Sequence, residues 1–326
     1  MSRSRASRTA IAAVGFAIAS AATLSACSSD DATSNGKPTI VASTNVWGSV
    51  AAAVAGDDAN VTSVIQDPSA DPHSYESSPS DAAAVTDADL VVFNGGGYDE
   101  FIEKILGSAK DKPVVDAYEL LGAGHSDSEG DAHNHAGAGD DHDSEGHEGH
   151  NHGAVNEHVW YDIPTVDAVA HKIADELSKL DPDNAQNYTD RVDAFDTKLH
   201  AISDITAKIA VDHPKAPVAQ TEPIAHYLLE AAGVEDLTPE EFESAIEEGS
   251  DPSPSAVAAT RDLLVGKKVD ALVYNIQTED KVTQDMRANA ESAGIRIVEV
   301  TETLPDGLDY IQWQTRNAEA LAEALN

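Results

Sequence analysis

The sequence predicts an α/β protein of two lobes joined by one long helix. Short apolar runs alternate with helical stretches in the first half, and the same alternation returns in the second half. Such alternation marks parallel sheets covered by helices. Between the halves, Tyr188, Val192, Phe195, Leu199, Ile202, Ile205 and Ile209 recur three or four residues apart, one apolar stripe on a single helix.

Taken in order, 39–44 reads as a buried strand, 47–55 as a helix and 60–65 as a strand. A helix over 79–87, a strand over 89–93, a helix over 98–109 and a fourth strand from 113 follow. The second half offers strands at 217–221, 270–275 and 295–300, with helices over 254–265 and 281–293. The linking helix starts at Asp181-Pro182, where Pro suits a first turn, and stops before Pro214. From Pro182 to Ala210 it would run about 43 Å at 1.5 Å per residue, a stiff strut rather than a loop hinge. The expected organisation is an N-terminal lobe over 38–180, a linking helix over 181–210 and a C-terminal lobe over 211–326.

The chain has 326 residues, with 20 Lys and Arg against 58 Asp and Glu, a formal charge of −38. That balance argues against nucleic acid, which needs a basic face, and against electrostatic docking on anionic lipid. A single Cys excludes an intramolecular disulfide and a Cys-rich zinc site. A bound metal would therefore need His and carboxylates. The 13 His are unevenly placed.

Arg3, Arg5 and Arg8 precede an uncharged stretch whose apolar part is short for a spanning helix. A basic start, a short apolar core and small residues before a cut form a secretory signal over 1–26. It ends Leu24-Ser25-Ala26-Cys27, which resembles a bacterial lipobox. Cys27 would then carry the lipid, and the polar segment 27–37 would serve as a tether. The anchor would hold the chain to the extracytoplasmic face of the membrane against its own charge.

Residues 122–154 fit neither lobe. His125, His133, His135, His142, His147, His150 and His152 lie there among eight acidic residues, with no Lys, Arg or large apolar side chain between the first and last. Such a segment buries too little to offset its ordering entropy, so a disordered loop is expected. His-rich tracts read as metal binding, here an accessory capture loop.

Four shorter tracts carry the candidate site. Asp71-Pro-His-Ser-Tyr-Glu follows a predicted strand and presents His73 at a strand's C-terminal edge, where open α/β sheets bind ligands. Glu157-His-Val-Trp-Tyr-Asp places His158 just beyond the His-rich loop. Thr221-Glu-Pro puts Glu222 after a second-lobe strand, and Asn275-Ile-Gln-Thr-Glu-Asp puts Glu279 and Asp280 after another. Two imidazoles from one lobe and two carboxylates from the other would make a four-ligand cleft. Glu222 could equally be an N-cap, and Glu279 or Asp280 a helix-start acid. His171, His200 and His213 read as surface or core residues.

Asp71-Pro-His-Ser-Tyr-Glu with Ser78-Pro-Ser80, then Glu157-His-Val-Trp-Tyr-Asp, and the His- and Asp-rich insertion between them resemble the zinc/manganese solute-binding lipoproteins of ABC transporters, the helix-linked cluster A-I type. The resemblance covers about 37–326. It implies two lobes, each a parallel four-stranded sheet flanked by helices, with one metal in the cleft between them. The family's first two ligands fall on His73 and His158, and its third on Glu222. Its fourth, an acid after a later strand, falls on Glu279 or Asp280, with His226 and Gln277 as competitors in the same tracts. The implied function is a high-affinity, monomeric, non-enzymatic receptor that passes a divalent metal to a membrane permease and its ATPase. Zinc is expected over manganese, because the loop's imidazoles collect zinc. A secreted metallohydrolase and a metal-stabilised surface adhesin are the competing classes; neither a His-Glu-x-x-His motif nor a nucleophile elbow occurs.

Overall fold

The computed structural model of the chain describes residues 36–109, 112–122 and 156–326. The signal segment, Cys27 and all seven histidines of the expected capture loop lie outside the described residues. Gly36–Asn326 forms one compact unit. No described helix is long and apolar enough to cross a membrane.

The N-terminal lobe opens with β1 (Thr39–Thr44), α1 (Asn45–Ala55), β2 (Asn60–Ile65), α2 (Pro79–Asp87), β3 (Leu90–Phe93), α3 (Glu100–Leu106) and β4 (Val114–Asp116). The strands are parallel in the order β2-β1-β3-β4. β3 is a continuous apolar run and β1 is buried from Ile40 to Thr44, because both their faces are covered. The Ser78 hydroxyl caps α2 by accepting from the Asp81 amide, and the Ser78 amide donates back to the Asp81 carboxylate, with Pro79 in the first turn. That fixes where the loop carrying His73 must end.

α4 (Ile163–Leu180) follows, then a 3-10 turn at Pro182–Asn184 and α5 (Ala185–Asp212). The expected strut is thus present, with its proline in a tighter preceding turn and its end two residues later. α5 buries Tyr188, Val192, Phe195, Leu199, Ile202 and Ile209. Thr206 takes the buried place expected of Ile205, which is only half-buried. Arg191 secures α5 to the first lobe, donating to the Ala55 carbonyl at 2.8 Å and to Asp58 at 2.5 Å.

The second lobe repeats the plan with β5 (Pro217–Gln220), α6 (His226–Ala231), β6 (Glu235–Asp236), α7 (Glu240–Glu247), α8 (Pro254–Val265), β7 (Ala271–Asn275), α9 (Lys281–Ala293) and β8 (Arg296–Val300). Its order, β6-β5-β7-β8, matches that of the first sheet. The two-residue β6, with α4, α6, α7 and the closing helix α10 (Tyr310–Ala324), are elements beyond those expected, although α4 carries a clear apolar stripe at Val166, Val169, Ala170, Ile173, Ala174 and Leu177.

The lobes share one hydrophobic cluster, running from Ile40 and Trp47 through Phe195 to Val218, Val298 and Leu321. Hydrogen bonds also cross between them. Asn45 donates to the Leu304 carbonyl and accepts from the Leu304 amide, each at 2.9 Å. The Tyr310 hydroxyl donates to the Trp160 carbonyl at 2.6 Å. Loops at the C-terminal ends of both sheets therefore meet in a fixed cleft.

Candidate metal centre

His73 sits in the loop after β2. Asp71 holds that loop through the His73 amide and the Ser74 hydroxyl, both at 2.9 Å. The His73 ring stands edge-on to Tyr98 with ring centres 4.8 Å apart. Tyr98 is fully enclosed, so it acts as a rigid wall that aims the imidazole into the cleft.

His158 leads into a 3-10 turn at Val159–Tyr161 whose three side chains are all buried. It is itself only 1% exposed. Asn156 Oδ1 accepts from the His158 amide at 2.8 Å and lies 2.9 Å from Nδ1. Because that oxygen can only accept, Nδ1 carries the proton and Nε2 keeps its lone pair. Burial, then the charges of His73 and His226, hold the ring well below the usual histidine range. His158 is thus a neutral imidazole with its ligating nitrogen free, and its ring centre lies 6.3 Å from that of His73.

Two buried glutamates and one half-buried glutamate face these rings. Glu302, two residues beyond β8, is 3% exposed, and its Oε2 lies 3.9 Å from His73 Nε2. Its other oxygen accepts from Asn275 at 3.0 Å, and burial followed by the charges of Glu222 and Asp71 pushes it up to about 8. Glu222 is 2% exposed and occupies the N-cap position of the turn Pro223–Ala225 without capping it. It accepts instead from the Thr278 hydroxyl, and burial raises it to about 7. Glu247, the last residue of α7, lies 3.6 Å from His158 Nε2. Burial, then Glu157, Glu222 and Glu302, push it up to about 9. Carboxylates raised in this way have lost water without gaining a counter-charge, the state that a bound cation relieves.

One donor atom each of His73, His158 and Glu247 lie within 4.8 Å of one another. The structure therefore brings His73 and His158 together, and Glu222 joins Glu302 and Glu247 in the same acidic wall. It does not bring Glu279 there. Glu279 lies 3.8 Å from the Arg287 guanidinium with its side chain 37% exposed. Asp280 is the N-cap of α9, accepting from the Thr283 amide at 2.7 Å. Its helix-start role was the open alternative, and that is the role seen. Gln277 is spent on the Pro68 carbonyl and on the Glu302 and Thr303 amides. His226 is exposed and lies near Glu230. Glu302 and Glu247 are residues that sequence reasoning missed. For Glu302 the available signal was an acid just past the last strand of the second sheet; for Glu247 there was none.

The cleft has a volume of about 750 Å³, and Asp71, His73, Glu247, Glu248, Asp251 and Asp280 are among the residues lining it. Among the described residues no lysine or arginine lines it, so the field of its lining concentrates cations.

The chain is similar to known metal-binding proteins. A family profile described as ZnuA, zinc-uptake complex component A, periplasmic, matches residues 40–324. The manganese-binding lipoprotein MntA of Halalkalibacterium halodurans is 24% identical over 295 residues, covering 88% of each chain. The zinc-binding protein AdcA of Streptococcus pyogenes is 24% identical over 286 residues, 82% of this chain but 52% of its own length. Among solved structures, the periplasmic zinc-binding protein TroA from Treponema pallidum superposes with a TM-score of 0.68 at 18% identity, covering 89% of this chain and 99% of that one.

Proposed function

Because the chain belongs to the ZnuA family, whose members are metal-binding components of transporters rather than enzymes, we propose that it captures one divalent metal ion outside the cytoplasm and releases it to an ABC permease. The ion is the cargo. His73, His158, Glu222 and Glu302 hold it, two neutral nitrogens and two carboxylates whose charge of −2 matches a divalent ion. The observation that carries this reading is the buried His158 Nε2, kept unprotonated by Asn156 and turned toward His73 and the acidic wall. Glu302 replaces Glu279 as the fourth ligand, because it is buried beside His73 and Glu279 is not.

Zinc is the preferred cargo. A shell of mixed nitrogen and oxygen donors binds zinc above manganese by intrinsic affinity. The capture loop His125–His152 adds imidazoles that collect zinc and hold manganese poorly. No reaction is catalysed: the ion arrives, the carboxyl protons leave, and the ion departs unchanged. The mature chain acts as a monomer anchored through a lipid on Cys27.

The test is competitive titration of zinc and manganese against a chromophoric chelator, with wild type, His73→Ala and His158→Ala. One tight site should be lost in both variants. Equal tight binding in all three proteins would refute the site, and tighter binding of manganese would refute the choice of cargo.

A further inference from the structure

Glu247 has no place in the four-ligand set just given, yet its position is that of a ligand. Its side chain is 11% exposed, and its Oε1 has no hydrogen-bond partner among the described residues. That oxygen faces the unprotonated Nε2 of His158 at 3.6 Å, an acceptor opposite an acceptor. Such an arrangement is unfavourable in a buried site unless a carboxyl proton or a metal ion stands between the two, and a metal ion would take the place of that proton. Donors about 2.1 Å from a common ion sit roughly 3–4 Å apart, so the His73, His158 and Glu247 atoms need contract by only about 1 Å.

The carrier of this carboxylate also differs from the carriers of the others. Glu222 and Glu302 follow β5 and β8 directly and are fixed by Thr278 and Asn275. Glu247 ends a helix of eight residues, followed by the exposed residues Glu248, Gly249 and Ser250 at the open side of the cleft. It therefore stands beside the buried His158 ring on a short helix end, a carrier that the other two carboxylates do not share.

We propose that Glu247 is a fifth ligand, closing on the ion from the open side of the cleft and raising the affinity for manganese relative to zinc. The inference rests on the receptor reading above. Zinc is satisfied by four donors in a tetrahedron, whereas manganese takes more donors and favours oxygen. A third carboxylate thus adds more to manganese than to zinc, and narrows the preference without inverting it.

The experiment measures zinc and manganese affinities of the purified full chain, by competition with a chelator strong enough to strip weak loop sites. The proteins are wild type, Glu247→Gln, Glu247→Asp, Glu248→Gln and His158→Ala. Glu248 lines the same cleft, so its variant removes an equal charge without removing the facing oxygen. Glu247→Gln and Glu247→Asp should each weaken manganese by about tenfold or more and zinc by less than about threefold, the scale of a lost metal-site contact. Glu248→Gln should leave both within about twofold. Equal effects of Glu247→Gln and Glu248→Gln would overturn the inference, since only the field would then matter. Equal losses for both metals would overturn the selectivity it assigns. Loss of binding in His158→Ala beside unchanged Glu247 variants would sink the fifth ligand and spare the receptor. Unchanged binding in His158→Ala would sink the receptor site itself.

Discussion

Asn156→Ala tests whether the second imidazole is held by its neighbour or only by the surrounding core. The Asn156 side chain accepts at Oδ1 from the His158 amide and Nδ1, and donates from Nδ2 to the Pro223 carbonyl at 2.8 Å. Pro223 adjoins Glu222, so one amide group sets the distance between a ligand of the first lobe and a ligand of the second. Truncation strips the buried Nδ1–H of its acceptor, at a cost of about 1–3 kcal/mol to the fold. It also frees the ring to rotate and exchange tautomers. Removing such an orienting partner typically weakens a metal site 10–100-fold, which is about 1.4–2.7 kcal/mol of binding free energy. Asn156→Asp keeps the acceptor for His158 but turns a second carboxylate oxygen toward the Pro223 carbonyl, so it should bind more tightly than the alanine variant, with a more basic imidazole, without exceeding wild type. The assay is chelator competition with zinc, run beside thermal melts of the metal-free proteins. Affinity of Asn156→Ala within about twofold of wild type would refute the reasoning, as would an Asn156→Asp protein that binds as poorly as the alanine variant.

Other expectations concern stability, the loop and the anchor. Glu243 on α7 is pushed from 4.5 up to about 10, first by burial and then by Asp236, so the folded state holds a proton that the unfolded chain releases above its own lower value. Its stabilising effect is fully present below about pH 4.5 and is lost as pH rises toward 10, so Glu243→Gln should raise the melting temperature more near pH 9 than near pH 5; an equal shift at both would count against it. Deleting His125–His152 should leave melting temperature and the tight site nearly unchanged, because the segment has no large apolar residue, while lowering the number of weakly bound zinc ions in equilibrium dialysis. Loss of the tight site would make the loop part of it. Cys27→Ser should release the protein from the membrane fraction without changing its melting temperature, and retention there would refute the anchor.

The strands of both sheets were legible where burial on two faces writes an unbroken apolar run, as in Leu90–Phe93 and the first four residues of Ala271–Asn275. α2, α8 and α9 were legible because Ser78, Ser253 and Asp280 are local caps, read from a few neighbouring residues. β6 is two acidic residues at a sheet edge, held by pairing with β5 alone, so no side-chain pattern marks it. His73 and His158 stand in tracts dense with Pro and aromatic residues, which made them visible. Glu302 stands between two threonines in a loop, and its meaning comes from His73, Tyr98 and Asn275, all remote in sequence. Glu279 also follows a second-lobe strand, and what sets it apart is its ion pair with Arg287 in the next helix. Among so many acids, composition cannot say which few are desolvated; only the packing of distant segments does.

The apolar cluster that runs unbroken from the first sheet through α5 to the second has a calorimetric consequence. Two sheets of four strands each would ordinarily suggest two domains melting in sequence. Here neither can lose its packing without exposing side chains that the other relies on, and Asn45, Trp160 and Tyr310 add hydrogen bonds between the two. Heat should therefore produce a single endotherm whose van't Hoff and calorimetric enthalpies agree. The same continuity limits travel: the ion is gripped by ångström-scale shifts at the loop ends, and the metal-free and loaded molecules should scatter X-rays in solution with nearly the same radius of gyration.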